Sequence, residues 1–188
     1  MSGVLVFVVI IVVLLAVAVL IVGQFNKLRR FDVACDGAWA GIDTLLAKRA
    51  DLIPNLVETA KGAADFERGT MEGVTAARAQ QARATTVAQT AEADGALTQA
   101  LGRLFAVAEA YPQLTATAGF RDLQGQLASV EGELQFARQY YNDSVVQLNT
   151  ALRTIPSMWF AGIANVRERE MYQEPEAGRR SAPSVDFT

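Results

Sequence analysis

The side chains that could do chemistry in this sequence are carboxylates and arginines, because the chain contains no histidine. Histidine is the commonest general base and metal ligand, so its absence removes the usual centre of both kinds of site. Acidic pairs occur at Asp65 with Glu72 and at Glu131 with Glu133, but neither has the Glu-x-x-His partner of bundle metal sites. The sequence also lacks a phosphate-binding glycine loop, a serine elbow and a cysteine pair. We therefore predict no catalytic site, no cofactor and no metal.

Two polar stretches at helical spacing remain. They contribute seven candidate residues: Arg49, Asp51, Asn55, Glu58, Arg138, Tyr141 and Asn142. One interpretation is that the two stretches pair between long helices and fix their register, as buried polar groups sometimes do. The other is that they form the rim of a docking face for another membrane protein, with Trp39, Ile53 and Leu56 as apolar anchors.

The elements that must position these residues begin with an unbroken apolar run at residues 4–22. At 1.5 Å per residue this run makes a helix of roughly 28 Å, which matches the hydrocarbon thickness of a bilayer. A cleaved signal peptide needs a basic residue before the run and a cleavage site beyond it, and the sequence supplies neither. Cys35 follows a charged stretch, which does not fit a lipoprotein anchor. The run therefore predicts a transmembrane helix.

The basic residues next to the run predict its orientation. Lys27, Arg29 and Arg30 follow it directly, and basic flanks stay on the cytoplasmic side. We expect the N-terminus outside and most of the chain in the cytoplasm. A single cysteine cannot form a disulfide within the chain, which fits a reducing compartment. The net charge of −3 and the lack of a basic stripe argue against nucleic acid as a partner.

Beyond the run, apolar residues at three-four spacing predict two long helices. The first continues from the transmembrane helix through Leu28, and the second runs from Phe120 to Ile155 and ends before Pro156. Pro54 interrupts the first and predicts a kink or a restart, of which the kink is favoured because the apolar period keeps its phase.

Shorter segments complete the prediction. Residues 84–95 lack large apolar side chains and are expected to form the interhelical loop, followed by a short helix over residues 97–108. After Pro156, the apolar residues between Met158 and Val166 predict another short helix that either caps the bundle, the favoured interpretation, or lies on the membrane surface.

These elements predict an all-α fold in which the transmembrane helix continues into an antiparallel, up-down bundle of about four helices. Residues 1–3 are expected outside the cell, residues 4–23 in the membrane, and residues 24–172 in the bundle. Residues 173–188 are expected to be disordered, because they contain proline, glycine and few apolar groups.

Six stretches of the sequence resemble the LemA family of bacterial membrane proteins. They occur in the family's order at residues 39–43, at 51–58 (DLIPNLVE), at 61–62, at 74–78, at 109–112 and at 138–142. The resemblance implies an N-terminal membrane helix, a cytoplasmic antiparallel bundle and no established molecular activity. The chain departs from the family pattern at Phe66, where histidine is common, at Leu148, where a second tyrosine is usual, and after Ala161.

We therefore expect a non-enzymatic interaction or scaffold protein of the bacterial inner membrane that crosses the bilayer once. The alternative is an accessory or regulatory subunit of a membrane protease or sensor kinase. The expected partners are the lipid bilayer and a second membrane or membrane-associated protein. The heptad spacing suits packing within the chain and self-association equally, so a homo-oligomer stays open.

Overall fold

The computed structural model of this chain describes residues 2–62 and 67–173. Every regular element in these residues is helical, which confirms the predicted all-α class. The elements are α1 (Ser2–Lys61), α2 (Arg68–Gln81), α3 (Val87–Ala108), α4 (Pro112–Thr115), α5 (Ala118–Arg153), a 3₁₀ turn (Ser157–Phe160) and α6 (Ala161–Ala164). Phe66 and, from residue 174 onward, the predicted disordered tail lie outside the described residues.

Helix α1 joins the apolar run to the first predicted bundle helix in one continuous element of 60 residues. The large apolar side chains of residues 4–22 are 38% to 72% exposed, whereas Leu28, Cys35 and Ile42 further along the helix are completely buried. The run lies in the one helix among the described residues that is long and apolar enough to cross a membrane. The predicted continuation of this helix beyond the run is therefore confirmed.

Helix α1 continues through Pro54 and does not restart there. Proline has no backbone N–H, so the carbonyl of Ala50, four residues earlier, loses its partner within the helix. Arg78 of α2 replaces that partner, because its Nε–H donates to the Ala50 carbonyl oxygen at 2.8 Å. A side chain from another helix thus satisfies the backbone group that the proline leaves without a donor.

The loop predicted at residues 84–95 is shorter than expected, because α3 already begins at Val87. Thr86 caps the helix by accepting a hydrogen bond from the Gln89 backbone N–H at 3.2 Å. Alanine is a strong helix former, and the small side chains at Ala91 and Ala93 are buried in α3. Their small size indicated a loop, but it marks a buried helix face.

The chain divides into two compact units, each with its own buried residues. Unit 1 comprises Met1–Gly41 and Ala137–Met171, and unit 2 comprises Ile42–Phe136 and Tyr172–Thr188. In unit 1 the segments of α1 and α5 are antiparallel within the unit, since Gln24 meets Ser157, just beyond α5, and Trp39 meets Tyr141.

Unit 2 contains a bundle core to which α1, α2, α3 and α5 all contribute, which fits the predicted bundle of about four helices. The largest fully buried side chains of this core are Ile53, Leu56, Val74, Leu97, Leu104 and Phe120. Phe105 meets Phe120 edge to face with the ring centroids 6.0 Å apart.

The segment after α5 differs from its prediction. Ile155, expected to close the long helix, lies beyond the last residue of α5 and is 65% exposed. The predicted short helix is a 3₁₀ turn followed by the single turn of α6, after which Asn165 adopts the left-handed conformation. Residues 166–171, which we call the strap, follow without helical structure, and Val166 of the strap is buried.

Candidate functional site

Unit 2 buries the guanidinium group of Arg49 on α1, a residue that is 3% exposed. Its Nη1 lies 2.7 Å from Asp94 Oδ1 and 3.0 Å from Glu131 Oε2, and its Nη2 donates to Thr98 Oγ1 at 3.0 Å. The hydroxyl of Tyr172 donates to the other oxygen of Asp94 at 2.6 Å. We call these five residues the Arg49 cluster.

The Arg49 cluster ties three helices of unit 2 together. Arg49 comes from α1, Asp94 and Thr98 from α3, and Glu131 from α5. Asp94 and Thr98 are one helical turn apart, so both face Arg49. Removing charges from water costs free energy that only close partners offset, and the short distances supply those partners. The arrangement suits a structural lock that fixes helix register.

The acidic pair at Glu131 and Glu133 does not act as one site. Glu131 faces Arg49, whereas Glu133 binds the exposed Lys48 at 3.4 Å and accepts from Ser129. In residues 2–62 and 67–173, no three histidine, cysteine or carboxylate side chains converge as metal ligands. The carboxylates of this pair are therefore occupied by separate cations.

Unit 1 contains a second cluster, built around Arg169 of the strap. Its Nη2 lies 2.6 Å from Asp32 Oδ1 and its Nη1 lies 2.6 Å from Asp36 Oδ1, both on α1. Asn149 of α5 accepts from the Arg169 backbone N–H at 3.0 Å and donates to its carbonyl at 2.9 Å. We call these four residues the Arg169 cluster.

The surroundings of the Arg169 cluster shift several pKa values. Burial acts to lower the pKa of Arg169, but its hydrogen bonds to Asp36 and Asp32 outweigh burial and raise it. Burial is the main reason that the pKa of Cys35 is raised. It likewise raises the pKa of Tyr141, whose hydroxyl donates to the Glu170 carbonyl at 2.9 Å.

The seven residues predicted as one polar network fall in both units. Arg49 is buried against Asp94 and Glu131, while Asp51, Asn55 and Glu58 are exposed on α1 and do not join it. Glu58 pairs instead with Lys61, one turn away at 3.7 Å. In unit 1, Arg138 and Tyr141 are buried and Asn142 is half-buried.

The predicted apolar anchors also need correction. Ile53 and Leu56 are 1% and 0% exposed in the core of unit 2, so they present no surface to a partner in this fold. Trp39 is half-buried in unit 1, where its ring lies 5.3 Å from the ring of Tyr141. The helical period that singled these residues out reflects core packing.

Several residues of the two clusters were not predicted from the sequence: Asp94, Thr98, Tyr172, Asp32, Asp36, Asn149 and Arg169. One signal was available for Asp94, because it precedes Leu97 and Leu101 at three- and seven-residue spacing on the same face of α3. A charge at an apolar position of a helix predicts a buried partner. No comparable signal marks Arg169, which follows the last helix.

Comparison with known proteins gives a match to the family that the sequence resembles. The model of the LemA family matches residues 38–187. Two relatives, magnetosome protein MamQ 2 and magnetosome protein MamQ 1 of Paramagnetospirillum magneticum, are each 31% identical over 86 residues, which is 46% of this chain and 32% of each relative. Magnetosome protein MamQ of Magnetospirillum gryphiswaldense is 30% identical over the same length. The match thus spans about a third of these relatives.

Proposed function

The chain belongs to the LemA family, and we propose that it is a membrane-anchored, non-enzymatic protein that holds a folded helical body beside the bilayer for other proteins to bind. The observation that carries this proposal is the contrast within α1. Its apolar run is exposed along its whole length, while the residues from Leu28 onward bury one face against protein. An exposed apolar run of this length needs a lipid environment.

The basic residues beyond the run support an orientation for this anchor. Lys27, Arg29 and Arg30 are all exposed on α1 within eight residues of Val22. Cations at this position favour the cytoplasmic side of a bacterial inner membrane. We propose a single-pass protein with its N-terminus outside and its two units in the cytoplasm.

The docking face that we propose is smaller than the one predicted from the sequence. It consists of Asp51, Asn55 and Glu58, which are exposed at four- and three-residue spacing along one face of α1. The Arg49 cluster fixes the same part of α1 from its buried side. Two of the three residues are acidic, which favours a basic surface on the partner.

The MamQ proteins are named for the magnetosome and not for a reaction. In this chain, the buried carboxylate of Asp94 and the half-buried carboxylate of Glu131 contact Arg49. Both observations support a protein that acts by binding.

Replacing the apolar run tests the anchor. We expect a chain in which a soluble tag takes the place of residues 4–22 to keep its helical circular dichroism and to move into the soluble fraction. The full chain should stay with membranes after a carbonate wash. A tagged chain that still sediments with washed membranes contradicts the proposed anchor.

Photo-crosslinking in cells tests the docking face. A photoreactive residue at Asn55 is compared with one at Gln99, which is also exposed but lies on α3. Crosslinks to envelope proteins at Asn55 and not at Gln99 support the proposed face. One protease or sensor kinase at stoichiometric yield favours the alternative role of an accessory subunit. Equal crosslinking at both positions contradicts the docking face.

A further inference from the structure

Unit 1 exposes a second apolar surface outside the run. Four large apolar side chains that lie within nine residues of sequence are 44% to 69% exposed. They are Ile155, Met158, Trp159 and Ile163, which we call the apolar patch. Single exposed apolar side chains are ordinary, but four in one short segment indicate an interaction surface.

One hydrogen bond places this segment next to the end of the apolar run. The hydroxyl of Ser157 donates to Oε1 of Gln24 at 2.7 Å, and Ser157 itself is 1% exposed. Gln24 comes two residues after Val22, the last residue of the run, which is about 3 Å along the helix. The apolar patch therefore begins beside the point where α1 leaves the apolar run.

The composition of this region suits the boundary between headgroups and acyl chains. Tryptophan is enriched at that depth because its ring is apolar and its N–H is polar. Lys27 and Arg30 are exposed on α1 within two turns of Gln24, where anionic headgroups would attract them. The apolar run and the apolar patch would then meet one continuous lipid surface.

We propose that the apolar patch is a second membrane contact, inserted into the interfacial layer of the leaflet that α1 leaves at Gln24. This inference rests on the proposed anchor, since only that anchor brings the bilayer to Gln24. With α1 and the patch both in the leaflet, unit 1 has two attachment points and a fixed orientation. A single helix alone would leave the body free to tilt.

Fluorescence of the two tryptophans tests the proposal in the full chain. Trp39→Phe leaves Trp159 as the reporter, and Trp159→Phe leaves Trp39 as a native reference. A matched control adds Val33→Trp in a chain with both substitutions, because Val33 is 61% exposed on α1 but nine residues beyond Gln24. Each protein is reconstituted in phosphatidylcholine–phosphatidylglycerol vesicles with or without brominated acyl chains, and flotation is measured on the same samples.

We expect all three proteins to float with the vesicles, and brominated lipid to quench most of the Trp159 emission but little of that from Trp39 or position 33. Floating vesicles in which Trp159 is quenched by aqueous iodide and not by brominated lipid would overturn the second contact and leave the anchor intact. Protection of Trp159 from both quenchers would also overturn it, because protein would then cover the patch. Failure of the full chain to float would contradict the proposed membrane anchor itself.

Discussion

The Arg49 cluster and the Arg169 cluster both pair one arginine with two carboxylates, but they differ in burial. In the Arg49 cluster the paired side chains of Arg49 and Asp94 are 4% and 2% exposed. In the Arg169 cluster the side chains of Arg169 and Asp36 are 28% and 62% exposed. Similar distances, 2.6 to 3.0 Å, occur in both.

The difference shows that distance alone does not set the energetic role of an ion pair. A buried pair whose partner is removed leaves a charge without compensation, whereas water can replace the partner of an exposed charge. The Arg49 cluster also joins side chains of three helices, while the Arg169 cluster attaches a non-helical strap. We therefore expect the first to control folding of unit 2 and the second to control local order in unit 1.

The largest effect is expected for Arg49→Met. It leaves Asp94 buried without its cation, and breaking a buried pair in this way costs about 3–5 kcal/mol of unfolding free energy. Urea unfolding followed by circular dichroism measures the loss, and hydrogen exchange should show it as lost protection of α3. Adding Asp94→Leu should recover part of the stability, because it removes the stranded carboxylate.

The neighbouring lysine provides the matched control for this prediction. Lys48 binds Glu133 at 3.4 Å, but its side chain is 53% exposed. Lys48→Met should cost less than about 1 kcal/mol. Equal losses for Arg49→Met and Lys48→Met would contradict the role assigned to burial.

The next effect is expected for Arg169→Met, which removes hydrogen bonds to Asp32 and Asp36. Hydrogen bonds to charged groups contribute about 1.5–3 kcal/mol, and the partial exposure of Arg169 places this variant below Arg49→Met. Hydrogen exchange should rise in the strap while α5 stays protected.

Arg153→Met is the control for the strap. Arg153 donates to both oxygens of Glu168 at 2.7 Å, yet both side chains are largely exposed. Exchange in the strap should change little in this variant. A strap that opens equally in both variants would show that short distance, and not partial burial, decides the effect.

A smaller effect is expected for Arg78→Met, which tests a partly buried polar contact in unit 2 that involves no carboxylate. The substitution leaves the Ala50 carbonyl without a donor and should cost about 1–1.5 kcal/mol. In a Pro54→Ala background, the new backbone N–H at position 54 can bond to that carbonyl, so Arg78→Met should cost much less there. A double-mutant cycle of urea midpoints measures the difference. An equal cost in both backgrounds would contradict the proposal that Arg78 replaces the backbone donor missing at Pro54.

The parts of the molecule that could be predicted from sequence are those with a regular helical pattern. Apolar spacing predicted the course of α1 and α5, because burial of one helix face leaves a regular pattern in the chain. The start of α3 was missed, although Thr86 followed by Gln89 is a helix-capping signal. Helical spacing singled out the polar stretch 138–142, and Arg138 and Tyr141 in it are buried, but the spacing alone did not distinguish a buried network from an exposed docking face.

The partners within the two clusters could not be predicted in the same way. Arg49 was singled out, but its partner Asp94 is 45 residues away in a segment assigned to a loop. Arg169 and Asp32 are separated by 137 residues, and the strap that contains Arg169 has no periodic pattern. Long-range polar pairs depend on how helices pack, which single-helix spacing does not encode.

The smallest effect is expected from alkaline pH and is confined to unit 1. The pKa values of Cys35 and Tyr141 are both raised, chiefly by burial, so the native state holds protons that the unfolded chain releases. Around Cys35 the charged groups are Arg169, Asp32 and Asp36, and of these only Arg169 opposes the shift. Since the unfolded state then binds fewer protons, stability must fall as pH rises above about 8.5, the ordinary range of a thiol.

Urea midpoints between pH 7 and pH 10.5 measure this dependence. Cys35→Ala should flatten the part of the curve that begins near the thiol range, and Tyr141→Phe the part at higher pH. Arg169→Met removes the cation that favours the thiolate, so it should raise the pKa of Cys35 further. The fall of stability with rising pH should then be larger in this variant. An unchanged curve in Cys35→Ala would mean that the buried thiol does not contribute. The Arg49 and Arg169 clusters would then differ in their ion pairs and not in a nearby titrating thiol.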